Sequence, residues 1–88
     1  MKNWTIAEIC IDAQKTYKAL TYVKNKITGI EGYITRYKGK YRCNTFQLDM
    51  ILSEEQLNKN WEITNILNDY GYNIYCFYYK VKFIAPMI

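Results

Sequence analysis

The stretch YRCNTFQLDMILSEEQL, residues 41–57, contains the change of period on which the fold turns. In its first part Phe46, Leu48, Met50 and Leu52 alternate with Thr45, Gln47 and Asp49, the period-two pattern of a strand with one buried face. At Ser53 the pattern changes. Ser53 and Gln56 form a capping box, Leu52 and Leu57 supply the apolar pair that flanks such a box, and Glu54 and Glu55 suit the positive end of a helix dipole. Strand gives way to helix within one residue, which makes the chain an α+β protein.

Toward the N-terminus, Tyr33 to Tyr37 joins this strand through Lys38-Gly39-Lys40, a short hairpin turn between residues rich in Tyr, Ile and Thr. Further back, Thr5 and Glu8 form another capping box, with Trp4 and Ile9 around it. Ile6, Ile9, Cys10, Ala13, Tyr17, Leu20, Val23 and Ile27 then recur at helical spacing, which predicts a helix over 6–26 ended by Gly29 and Gly32. Toward the C-terminus, Trp61, Ile63, Ile66, Leu67 and Tyr70 extend the second helix to Gly71. A last strand is expected over 73–84, with Tyr75, Phe77, Tyr79, Val81 and Phe83 on one face. The expected order is αββαβ. It predicts one two-layer domain over residues 1–88, with a three-stranded antiparallel sheet and both helices on one of its faces.

Half of the 88 residues are apolar, enough for a modest core but not for a core that also encloses a large substrate cavity. The three cysteines, Cys10, Cys43 and Cys76, are odd in number and widely spaced, unlike a disulfide framework, and there is no histidine to complete a zinc site. They are expected as reduced thiols, with no metal and no cofactor. Glu8 and Asp12 interrupt the apolar residues near the N-terminus, and Lys80 and Lys82 interrupt those near the C-terminus, so a cytoplasmic protein without a membrane span is expected. The prevalence of Lys, Asn, Ile and Tyr, all with AT-rich codons, points to an AT-rich genome, that of a low-GC bacterium or one of its phages.

The catalytic inventory is thin. Histidine, the usual general base near neutral pH, is missing, and the sequence has neither a phosphate-binding glycine loop nor a nucleophile elbow. No enzyme is expected. The richest segment is the hairpin, where Tyr33, Arg36, Tyr37, Lys38, Lys40, Tyr41 and Arg42 place four cations and three aromatics together. Cations meet phosphates and aromatic faces stack on unpaired bases, so this mixture suits single-stranded nucleic acid. The same residues also suit a solvated hairpin whose lysines guard a sheet edge. Lys38-Gly39 resembles the opening of an RNA-recognition-motif consensus, although the aromatics that follow stand at other offsets.

A second candidate surface is a stripe of Ile11, Lys15, Lys18 and Tyr22 on the outer side of the first helix, which could anchor a protein partner. The opposite, uncovered face of the sheet is a third, either as a binding platform or as a homodimer interface. A net charge of +4 is mild for a dedicated duplex-DNA binder. Together these features lead to the expectation of a small non-enzymatic binding protein, phage- or mobile-element-encoded, that docks on a host protein or nucleoprotein complex. Inhibitors of bacterial defence systems, anti-CRISPR proteins among them, are one such class. The alternatives are a single-stranded RNA or DNA binder acting through the hairpin, and a homodimeric structural or regulatory protein.

Overall fold

In the computed structural model, residues 3–79 are described. Helix α1 (Ile6–Tyr17) opens with the Thr5/Glu8 capping box: Glu8 N–H donates to Thr5 Oγ1 at 3.1 Å and Thr5 N–H to Glu8 Oε1 at 3.1 Å. It ends nine residues before its expected limit. Lys18 turns the chain in the left-handed region (φ 53°), and its N–H and that of Ala19 satisfy the carbonyls of Gln14 and Ala13. The residues that prolonged the helical spacing form strand β1 (Leu20–Asn25), where Thr21 and Val23 point inward while Tyr22 and Lys24 alternate with them. Thr21, Tyr22 and Val23 at its centre are β-branched or aromatic, and they fit a pleated surface better than a helix.

The hairpin is β2 (Glu31–Tyr37) and β3 (Lys40–Asn44), joined by Lys38 and Gly39, both at positive φ, as a two-residue turn of matching twist requires. The expected strand over 41–52 is broken. Thr45 ends β3 in a loop in which its hydroxyl bonds to both the N–H and the carbonyl of Leu48, and the chain resumes as β4 (Met50–Leu52). Phe46 and Leu48, read as the strand's buried side, are exposed in this loop. So is Asp49.

Helix α2 (Glu54–Asn60) has the expected Ser53/Gln56 capping box but lasts only seven residues. Trp61 is already extended and begins β5 (Trp61–Leu67). A β-bulge explains the misread period. Val23 pairs with Ile63 and Tyr22 with Asn65, so Thr64 is the extra residue, its hydroxyl bonded to the Tyr22 carbonyl at 3.2 Å. The inward side chains are therefore Trp61, Ile63 and Ile66, and the three-residue step imitates helical spacing.

The sheet has five strands rather than three, in the antiparallel order β4-β3-β2-β1-β5. A meander of four strands is closed by β5, which returns through α2 to pair with β1. Helices α1 and α2 pack on each other and on the inward residues. One core results, containing Ile9, Val23, Cys43, Leu57, Trp61 and Ile66.

Among the described residues the expected last strand is replaced by an isolated bridge, Leu67 to Asn73, and a π-helical turn (Tyr75–Tyr79). The Asn73 carboxamide accepts from Ile66 N–H and Tyr75 N–H at 3.1 Å, which covers part of the β5 edge. The turn then folds over α1. Tyr79 is fully buried, meets Trp4 and Tyr17 edge-on, and donates its hydroxyl proton to the Asp12 carboxylate. Residues 80–84 of the expected strand lie outside the described residues.

Candidate functional site: the open face of the sheet

With the helices and the 74–79 segment on one side, the other face of the sheet is uncovered. Its middle row follows from register. Asn65, Tyr22, Tyr33 and Asn44 stand side by side across β5, β1, β2 and β3. The Tyr22 and Tyr33 rings lie 5.6 Å apart at a tilt of 49°. Asn44 is fixed by donating its amide to the Tyr33 carbonyl (3.2 Å) and Thr35 Oγ1 (3.1 Å), and Asn65 accepts from Asn73 at 2.9 Å. Aromatic planes held between oriented amides make a flat platform with both apolar and hydrogen-bonding character.

At one end the platform deepens into a groove of about 590 Å³ bounded by Tyr22, Tyr33, Phe46, Asn44, Glu31 and Asp49. Its floor includes Gly32, where a Cβ would lie 2.5 Å from the Asn44 carbonyl oxygen, so no larger residue fits without a backbone shift. Phe46 stands fully exposed on the rim, with Leu48 two residues on. Both bounding charges are carboxylates. In the register, Lys24 stands between Glu31 and Glu62.

The sheet divides the hairpin cluster that looked continuous in the sequence. Tyr37, Lys40 and Arg42 lie on the open face, where the Arg42 guanidinium stacks 4.3 Å over the Tyr37 ring and Lys38 approaches the same ring at 5.4 Å. Arg36 and Tyr41 lie on the other side. Tyr41 is buried, and the Arg36 guanidinium covers its ring at 4.7 Å. Burial, only partly offset by Arg36, raises the Tyr41 hydroxyl above its ordinary range.

The helix stripe is corrected by the early end of α1. Ile11 and Lys15 remain exposed on the outer side of α1, Lys18 is its cap, and Tyr22 belongs to β1 on the opposite side of the molecule. Sequence reasoning counted Tyr33 with the hairpin cluster but did not set it beside Tyr22, and it missed Asn44 and Phe46 as site residues. The Tyr22/Tyr33 pairing had no local signal, because β1 was hidden in the helical spacing.

Of the three thiols, Cys10 and Cys43 are buried and Cys76 is exposed. Burial pushes the Cys10 thiol up to about 12 and the Cys43 thiol up to about 11, so neither supplies thiolate at neutral pH. Thr21 Oγ1, buried beside Cys10, lies close to the thiol without a hydrogen bond of good geometry. Among the described residues no cluster of histidine, cysteine or carboxylate side chains could hold a metal ion, and no helix is long and apolar enough to cross a membrane. Comparison with protein-family models, curated proteins and solved structures found no match to this chain.

Proposed function

We propose that this chain is a small non-enzymatic binding module that docks on a protein through the open face of its sheet. The observation that carries this reading is the groove lined by Tyr22 and Tyr33, with the exposed Phe46 at its rim. Rigid aromatics beside a pocket are the usual anchors of a protein interface, and contiguous exposed apolar surface is uncommon unless something covers it. The groove's own charges are Glu31 and Asp49, which repel phosphate.

The hairpin supports the same choice over direct nucleic-acid binding. Its two arginines lie over Tyr37 and Tyr41, and Tyr41 is buried, so the Tyr41 ring is not free for stacking on bases. The partner class that suits a small AT-biased, phage-like protein is a host protein or nucleoprotein complex, a defence complex among them.

The test is capture by the tagged protein from a low-GC bacterial lysate, with and without nuclease, alongside Tyr33→Ala and Phe46→Ala. A discrete partner that survives nuclease and binds each variant more than tenfold more weakly is expected, as for an anchor worth about 2 kcal/mol. Capture that disappears with nuclease would sink the reading and favour single-stranded nucleic acid on the hairpin.

A further inference from the structure

The open face is electrostatically polarised along its strands. Lys38, Lys40 and Arg42 gather at the β2–β3 turn, where the Tyr37 ring draws the Arg42 guanidinium toward the tip. At the other end of the same strands, Glu31 and Asp49 border the aromatic groove, and Lys24 stands between Glu31 and Glu62, so this end keeps an excess of negative charge. Each end is therefore the charge complement of the other, on one face of one chain.

Such a surface fits a second copy of itself. Thr35 lies four residues from Glu31 and four from Gly39 along the hairpin, an arm of about 13 Å each way at strand rise. A two-fold axis in the plane of the face, crossing β2 near Thr35 at right angles to the strands, brings the turn of each copy over the groove of the other. Both contacts are then made at once, which is the self-complementarity an isologous dimer requires.

We propose that two copies associate face to face, the basic turn of each seated in the Tyr22/Tyr33 groove of the other between Glu31 and Asp49. A lysine or arginine in that groove meets aromatic faces as well as carboxylates, and both attract a cation. The platform measures roughly 20 by 20 Å, below the roughly 800 Å² per partner of a standard interface, so the dimer is weak and concentration-dependent. The inference rests on the open face being the contact surface, and it adds that a host partner competes with the second copy for it.

Sedimentation of the full chain from low micromolar to millimolar concentration tests this. A rise from monomeric to dimeric mass, weakened by salt, is expected. Reversing the turn (Lys38→Glu with Lys40→Glu) or the groove (Glu31→Lys with Asp49→Lys) should each weaken association at least tenfold while the far-UV spectrum and thermal midpoint hold. Mixing the two reversed variants should restore it, because acidic turn meets basic groove and basic turn meets acidic groove in one heterodimer. A monomeric mass at all concentrations, a dimer indifferent to both reversals, or a mixture that stays monomeric would overturn the proposal. A monomer that still captures a partner through Tyr33 would remove the dimer alone. A dimer whose Tyr33→Ala variant captures as wild type does would remove only the host-docking reading.

Discussion

The covered and uncovered faces of the sheet are built from the same strands by alternate residues, yet their chemistries differ. On the covered face Thr21, Val23, Ile34, Cys43, Ile63 and Ile66 are small or aliphatic and nearly excluded from water. On the open face their neighbours Tyr22, Tyr33, Arg42, Asn44 and Asn65 are large, polar at one end, and half-buried or exposed. The first set gains its free energy from removing apolar surface from water during folding. The second retains surface whose burial contributes only when a partner arrives. The difference separates residues that hold the fold from residues available for binding, even where the two are adjacent in sequence.

The largest blow to this contrast falls on the covered face. Trp61→Ala removes the largest fully buried side chain and should cost about 3–5 kcal/mol, a large part of the stability of a domain this size, whereas Tyr33→Ala should cost about 1 kcal/mol or less. Chemical denaturation of both variants checks this. Equal losses would erase the distinction between the faces.

Alkali probes the covered face through its protons. Cys10, Cys43 and Tyr79 all have raised folded-state values, Tyr79 through burial and its bond to Asp12. The folded state therefore keeps protons that the unfolded chain releases. Their contribution is fully present below about pH 8.5, the ordinary thiol value, and declines as pH rises, at about 1.4 kcal/mol per pH unit for each group that titrates. Denaturation midpoints at pH 8, 9 and 10 should fall steadily, and Cys76, the exposed thiol, should react first with a thiol reagent.

Gly32 joins the two faces. Gly32→Ala should cost about 1–3 kcal/mol because the new methyl meets the Asn44 carbonyl, and the shift should also disturb the groove. A variant that loses stability but keeps full partner affinity would show that groove and backbone are independent. The smallest effect is expected at Lys38→Asn. The residue sits at φ 47° before Gly39, where Asn-Gly is favoured, so a gain of a few tenths of a kcal/mol is expected in thermal unfolding.

Much of the fold was legible where the signal was local. Both capping boxes, the Lys38-Gly39 turn and the hairpin start stand where the residues placed them, because each depends on a few neighbouring hydrogen bonds. The two strands missed, β1 and β5, were hidden by apolar spacing that suited either period. Tyr17, Leu20 and Val23 continue α1's helical spacing across its end, and the Thr64 bulge gives β5 a three-residue step. The candidate site was legible only in part. Tyr37, Lys38, Lys40 and Arg42 share the hairpin's open side, but Arg36 and Tyr41 are on the other, and Tyr22 reached the site by a strand that the sequence presented as helix.

The sequence alone determined an α+β chain with two capped helix starts, a tight hairpin and no histidine, since caps, turns and composition are properties of a few residues at a time. The tertiary structure decided where each helix stopped, that five strands pair in one sheet, and that Tyr22, Tyr33 and Phe46 meet beside Glu31 and Asp49. Those outcomes depend on pairing between residues far apart in the chain, where β1 gains more by lying between β2 and β5 than by prolonging α1. That competition is settled by burial and register across the whole domain, which no local pattern records.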